Sequence, residues 1–396
     1  MSRFVISAAG VVSPLGSGVA EFFEGLRTAR AGVGNISSFD ARALPTDFGA
    51  EARCGGEVLE FGADVDRKEQ FLRSAMEELR AQADFDRFAP EQRYLSLGAG
   101  IDYFCFPEYA QRARGGDWQT YNALSCRVVQ RMAESFAIRG GHHANLSACV
   151  ASSQAIGFAL RLLRRRPRMA VIAGGFDSML SYLHYMGFYH LGALSTWKGH
   201  PEGACRPFDR VRHGLVIGEG AAAFLLEDEA TAAPERILCR VSGYASTMDA
   251  YMVTDPEPSG AKLAESALLA IRDAGLTPCD IDSVDLHGTG TVKNALAEAR
   301  ALEVVFPQRF REIPVFALKG QIGHLIGACG AVEILGVIDA LREQRLLPSV
   351  NCDETDPDAP LNFVRGEPLP LRLRHILKLN AAFGGQNTAL VLSAYN

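Results

Sequence analysis

Three segments of this chain pair a nucleophile or an imidazole with unusually small neighbours. Cys149 stands in Asn145-Leu-Ser-Ala-Cys149-Val-Ala-Ser-Ser-Gln-Ala-Ile-Gly157. His287 opens His287-Gly-Thr-Gly-Thr291, and a second imidazole ends Lys319-Gly-Gln-Ile-Gly-His324. A late turn, Phe383-Gly384-Gly385, follows them. The residues after Cys149 (Ala151, Ala155, Ile156, Phe158, Ala159, Leu162) recur at helical spacing, which puts the thiol at a helix N-terminus. Free N–H groups and the positive end of the helix dipole favour thiolate there, and the same N–H groups can hold an oxyanion. The chemistry this set suits is attack of sulfur on an activated acyl group.

Each residue alone has a plainer reading. A free cysteine is usually a packed core thiol. His287 follows the apolar run Val284-Asp-Leu and reads equally as a hydrogen-bonded strand-end histidine, and His324 as a helix cap or core group. Lys319 with Glu333 is a pair that on a surface contributes little. Two glycines in a strand pattern mark a bend at close quarters or a simple hairpin. The case rests on whether these distant residues meet.

The elements that must bring them together alternate along the chain. Strands are predicted at 4–7, 95–99, 169–173, 221–226, 238–244, 284–287, 315–317, 375–379 and 388–392. Helices are predicted at 20–27, 69–82, 150–165, 262–273, 294–304 and 331–345. This alternation argues for a layered α/β fold with buried sheets. A polar bridge, Glu227–Arg236, divides the chain into 1–235, with the cysteine, and 236–396, with both histidines; no internal repeat is legible. The run Arg161–Arg168 reads as a solvated helix end, where cations complement the dipole.

With 396 residues, 48% of them hydrophobic, the composition is that of a globular protein with a large core. A net charge of −6 gives no support to general nucleic-acid or membrane-surface binding. No apolar run approaches the roughly 20 residues of a membrane helix. The opening, Met1-Ser-Arg-Phe-Val-Ile, reads as a strand and not as a secretory signal. Nine irregularly spaced cysteines without a Cys-x-x-Cys pair point to reduced thiols in the cytoplasm, with neither a disulfide framework nor a zinc site.

In order, these motifs resemble the β-ketoacyl-[acyl-carrier-protein] synthases of the elongating type, within the thiolase-like superfamily. The similarity runs nearly end to end. Val5–Gly16, Ala173-Gly-Gly-Phe-Asp177, Gly187-Phe188, Ala193-Leu-Ser195, Arg206-Pro-Phe-Asp209 and Gly218-Glu-Gly220 accompany the cysteine, HGTGT, KxxxGHxxGAxG and FGGxN segments. The resemblance implies a five-layered αβαβα fold from two similar halves, and a dimer. It implies Cys149 as the acyl-accepting nucleophile, and His287 and His324 on the malonyl thioester carbonyl. Lys319 with Glu333 would hold the histidine loops. The N–H groups of Cys149 and Phe383 would form the oxyanion hole, Phe383-Gly384-Gly385 the gate, and Thr289 and Thr291 would bind substrate. It implies acyl carrier protein as partner, bringing its own phosphopantetheine, and no cofactor or metal in the chain.

Four positions depart from the family pattern: Ala295 (usually acidic), Gly320 (usually Ser), Ala381 (usually aromatic) and Gly192 (usually basic). They point away from housekeeping fatty-acid elongation and toward a specialised type II pathway, polyketide or polyene, in a homodimer or with a related chain-length subunit. Two other readings stay open: a non-catalytic chain-length or scaffold subunit, and an acyltransferase on the same fold. Around the expected pocket, Tyr103, Phe104 and Phe106 read as tunnel caps or core aromatics. Arg67 and Lys68 are candidate carrier-docking charges.

Overall fold

The structure, a computed structural model, describes residues 3–40, 44, 50–52, 67–102, 113–115 and 124–395. The first half contains β1 (Phe4–Ser13), α1 (Val19–Arg27), α2 (Arg67–Gln82), β2 (Arg93–Ala99), α3 (Ser125–Ser135), β3 (His142–Leu146), α4 (Ala151–Arg165), β4 (Ala170–Asp177), α5 (Tyr182–His190) and β5 (Gly220–Asp228). The second contains β6 (Cys239–Met248), α6 (Ala261–Asp273), β7 (Ser283–Asp285), α7 (Val292–Val305), β8 (Pro314–Phe316), α8 (Lys319–Ile322), α9 (Cys329–Glu343), β9 (Asn362–Phe363), β10 (His375–Ala381) and β11 (Gln386–Ser393).

The repeat invisible in the sequence is plain in the topology. Outward from the middle, the first half runs β1-β5-β4-β2-β3 and the second β6-β11-β10-β7-β8, with β9 added at the far edge. In both, the first two pairings are antiparallel and the next two parallel. The halves join where Val5 and Ile6 of β1 pair with Arg240 and Cys239 of β6. Helices α4 and α9 hold equivalent places and pack on each other between the sheets. Helices α2 and α6 cover the outer faces, so the layers are αβαβα, the thiolase-like fold.

The burial pattern explains what the sequence shows and what it hides. Helix α9 is buried from Cys329 to Leu341 without a break, as its central layer requires. All nine predicted strands form, most of them longer than their apolar cores. Strand β3, which delivers Cys149, is a half-exposed edge strand (His-His-Ala-Asn-Leu) with no apolar run to betray it. Helix α3 carries an apolar stripe (Val128, Val129, Met132, Ala133) that the sequence reading passed over, whereas α5 buries only Tyr185 and has no such signal. Among the described cysteines Cys126 and Cys279 are exposed and the other five are buried free thiols; Cys54 and Cys105 lie outside the described residues.

Candidate active site

Cys149 is presented by a tight turn. After β3, Ala148 takes a left-handed conformation (φ 49°), and a 3₁₀ turn over Ala148–Val150 feeds α4. A left-handed alanine costs about 1–2 kcal/mol, which places stored strain next to the nucleophile. The second half repeats the device: Ile326 (φ 47°) begins a 3₁₀ turn, Ile326–Ala328, ahead of α9. The two turns meet, with Gly327 equivalent to Cys149. Asp177 accepts the N–H groups of Gly100 (2.9 Å) and Gly327 (2.8 Å), and Gly100 O in turn accepts the Ala148 N–H (3.0 Å), which ties the two turns together.

The sulfur of Cys149 and one ring nitrogen from each of His287 and His324 lie within 4.8 Å of one another. The imidazoles meet edge to face, ring centroids 5.3 Å apart. His287 comes from the loop after β7, where the Glu298 carboxylate accepts the N–H of His287 (2.7 Å) and of Gly288 (2.9 Å). His324 is pinned by backbone bonds to Val216 and Gly218.

Hydrogen bonds fix both tautomers. Nδ1 of His324 accepts the Ile326 N–H at 3.0 Å, with Cys329 Sγ 3.2 Å away. Nδ1 of His287 faces two donors, Lys319 Nζ (3.4 Å) and Asn380 Nδ2 (3.3 Å). Each ring therefore carries its hydrogen on Nε2, the nitrogen left for the pocket. Burial first, and the Lys319 charge second, hold His324 down to about 3 and His287 well below its ordinary value. Both are neutral N–H donors at any working pH. They offer hydrogens toward the thiol, which suits a developing oxyanion; a metal ion would need lone pairs there.

Beneath the imidazoles lies a fully buried charge cluster. Lys319 Nζ donates to the His287 carbonyl and to Glu333 Oε1. Burial works against the Lys319 charge, but Glu333 together with Cys329 and Asp285 holds the ammonium above its usual range. Lys378 Nζ reaches Glu333 Oε2 (2.7 Å) and Asp285 Oδ2 (3.1 Å), and Asn380 Nδ2 donates to the same Glu333 oxygen at 3.0 Å. Asp285, Lys378 and Asn380 are absent from the sequence reading. The signal was present: Asp285 and Lys378 are lone charges in apolar strands, each two residues before His287 or Asn380 on the same strand face.

A pocket of about 420 Å³ opens onto this centre, lined by Cys149, His287, Thr289, Thr291, His324 and Phe383 among others. The backbone N–H groups of Phe383 and of Cys149 itself lie near the Cys149 sulfur and favour its anionic form. Gly384 and Gly385 are not donors to it: their N–H groups bond Val253 O (2.6 Å) and Ala382 O (3.1 Å). Both glycines sit at positive φ (81° and 74°), so their part is to make the turn that aims Phe383. The Phe383 ring lies 6.5 Å from that of Phe188 across the pocket.

Two expectations change. The helix N-terminus was expected to favour thiolate at Cys149, but burial pushes the thiol up to about 12, against the Lys319 charge and the two N–H groups. The resting sulfur is a thiol. Alkylation of Cys149 by iodoacetamide, followed by peptide mass spectrometry, should therefore accelerate about tenfold per pH unit from pH 7 to 9. A plateau below pH 8 would show a resting thiolate instead. Lys68 is no docking charge: it is buried, with Nζ 3.2 Å from Ser125 Oγ, and Arg67 pairs with the buried Glu219. The pairing of Lys319 with Glu333 is present and wholly interior, which sets aside its reading as a surface bridge. Tyr103, Phe104 and Phe106 lie outside the described residues.

Two departures gain a physical account. A Cβ at Gly320 would sit 2.2 Å from Val350 O, so the backbone there leaves no room for serine. Ala295 packs its methyl into the second-half core, where an acidic side chain would be buried among apolar groups. Ala381 lines the pocket, and Gly192 stands at its mouth.

Comparison with known proteins agrees with this geometry. The family models described as beta-ketoacyl synthase N-terminal domain and C-terminal domain match residues 1–232 and 238–353. A 3-oxoacyl-[acyl-carrier-protein] synthase 2 from Synechocystis is 30% identical, covering 99% of this chain and 98% of its own. A putative polyketide beta-ketoacyl synthase 1 from Streptomyces cyaneus is 31% identical over the same shares. The solved ishigamide ketosynthase/chain length factor superposes with a TM-score of 0.87 at 26% identity, over the whole of both chains.

Proposed function

The chain belongs to the β-ketoacyl synthase family, and we propose that it catalyses decarboxylative Claisen condensation of a Cys149-bound acyl group with malonyl-acyl carrier protein. The observation that carries this is the meeting of one thiol, two N–H-presenting imidazoles and two backbone N–H donors in a single pocket.

The steps follow from that arrangement. The Cys149 sulfur attacks the carrier-bound thioester carbonyl, and the oxyanion sits between the N–H groups of Cys149 and Phe383. The bond to the pantetheine sulfur breaks, and the thiol proton leaves with it, so a resting thiol loses nothing overall. Malonyl carrier protein then enters. Its thioester carbonyl accepts hydrogen bonds from Nε2 of His287 and His324, and its carboxylate departs as carbon dioxide. The electron pair left behind becomes an enolate held by those donors. Loss of carbon dioxide creates this nucleophile without a strong base, as befits two neutral imidazoles whose Nδ1 atoms are already occupied. The enolate carbon attacks the acyl-Cys149 carbonyl, the sulfur leaves and takes up a proton, and a 3-oxoacyl carrier protein is released. None of these steps calls for a metal or redox cofactor, and the phosphopantetheine arrives with the carrier.

A second subunit fits the same reading. Strand β3 ends the sheet, no strand among the described residues pairs with its outer edge, and Leu146 beside it is 46% exposed. An exposed edge of this kind is a template for pairing with another chain. The relative solved with a chain length factor makes a heterodimer a concrete alternative to a homodimer. The intact catalytic set argues against a purely scaffolding role for this chain. Ala381 lines the pocket where the family pattern has an aromatic, in line with a specialised polyketide or polyene substrate. No helix among the described residues is long and apolar enough to cross a membrane, and a cytoplasmic location is part of the proposal. Purification with its native neighbours, followed by assay on saturated and polyunsaturated acyl carriers, should show a preference for the latter. A strict homodimer fully active on saturated chains would overturn the specialised reading.

A further inference from the structure

Lys378 and Asp285 are direct register partners on the adjacent parallel strands β10 and β7. Both are fully buried. Beside its two carboxylate contacts, Lys378 Nζ bonds Leu379 O at 3.0 Å and approaches Leu286 O at 3.5 Å. Asp285 lies close to the ammonium but makes no aligned hydrogen bond among the described residues; burial pushes its carboxyl up to about 7 against the Lys378 charge, so what it supplies is charge in its ionised form. A buried ion pair is rarely more stable than an apolar pair of similar volume. Stability alone therefore gives little reason for this one, and its position gives a better one.

Glu333 is the shared element. Lys319 occupies Oε1, while Lys378 and Asn380 occupy Oε2. A carboxylate held from both oxygens cannot rotate. Its two other partners, Lys319 and Asn380, are the groups that face Nδ1 of His287. Asn380 is itself steadied by Ser153 Oγ, 2.7 Å from its Oδ1. Without Lys378, Oε2 keeps Asn380 alone, so the carboxylate is held less firmly, and with it the two groups that keep the His287 hydrogen on Nε2.

We propose that Lys378 is a second positioning lysine of the malonyl site, holding Glu333 by the oxygen Lys319 does not take and so fixing the His287 tautomer. Asp285 is the countercharge that lets a second lysine be buried there. This rests on the condensation reading given above, and it concerns decarboxylation and condensation, not acylation of Cys149.

The test separates those steps. Lys378→Met alone strands Asp285, so it is paired with the double variant Asp285→Leu/Lys378→Met, which removes both charges. Acyl adduct formation on Cys149, decarboxylation of malonyl carrier protein and full condensation are measured for each. The double variant should form the adduct at the wild-type rate, while kcat for decarboxylation and condensation falls on the order of tenfold or more, with KM for malonyl carrier protein unchanged. Wild-type condensation in the double variant would overturn the proposal. So would an equal loss of acylation and condensation, the mark of a merely structural pair. Failure of the wild-type chain to condense with any donor would instead remove the functional reading, and this inference with it.

Discussion

Cys149→Ala is expected to abolish the acyl adduct and to lower condensation on the order of 10⁴-fold or more, since no other group can carry the acyl chain. The substitution removes only the sulfur. The turn that presents it is set by the left-handed Ala148 and by the Asp177 clamp on Gly100 and Gly327, and neither contact involves the thiol. His287 and His324 keep their Nδ1 partners, so decarboxylation of malonyl carrier protein should survive although nothing is there to accept the enolate. Intact-protein mass spectrometry and carbon dioxide release read the two halves separately. Cys329 is the internal control, a buried thiol 3.2 Å from Nδ1 of His324. An adduct that persists in the variant and maps to Cys329 would mean that the nucleophile has been misassigned.

His324→Ala should show the reverse pattern. Acylation of Cys149 uses the N–H groups of Cys149 and Phe383, which the substitution leaves in place. Decarboxylation and condensation lose one of two oxyanion donors, a loss of about 10²–10³-fold by comparison with other oxyanion holes. His287→Ala should cost at least as much, because its Nδ1 also faces Lys319 and Asn380, which would lose that neighbour although Lys319 keeps the backbone carbonyl. The pH dependence follows from the same contacts. Burial holds His324 down to about 3, so Nδ1 stays free of a proton and keeps accepting the Ile326 N–H from pH 8 down to 5. Protonation of this residue should therefore impose no acid limb in that range. An acylation rate that falls in step with condensation in His324→Ala would contradict the division of labour between the two donor pairs.

How much of this was legible in the chain depends on where each signal lives. Cys149, His287, Lys319, His324 and Phe383 stand in ordered motifs with glycine or alanine around them, and the structure gathers all five. Apart from β3 ahead of Cys149, the strands that carry them are apolar runs, easily read. The repeat of topology was hidden because the halves share a strand order and a pair of left-handed turns at Ala148 and Ile326, and these are backbone properties that leave little trace in residue identity. Strand β3 escaped notice because one of its edges faces outward. The charge state of Cys149 was misjudged because its helical position speaks for thiolate, while burial speaks more strongly against it. Lys378 and Asp285 were missed for a simpler reason: a lone charge in a strand is usually at a surface, and only the parallel register of β7 and β10 shows them meeting in the interior.

The central claim is that Cys149 carries an acyl group that the two histidines then extend by decarboxylation. A single-turnover chase tests it most directly. Enzyme acylated on Cys149 and freed of donor is mixed with malonyl carrier protein labelled with ¹³C at all three malonyl carbons, and both protein and carrier are weighed. The account predicts that the adduct disappears from Cys149 while the carrier gains that acyl group plus two labelled carbons, the third leaving as labelled carbon dioxide. An adduct that passes to the carrier without labelled carbon joined to it, or is lost to water, would contradict condensation and leave acyl transfer as the activity of this site.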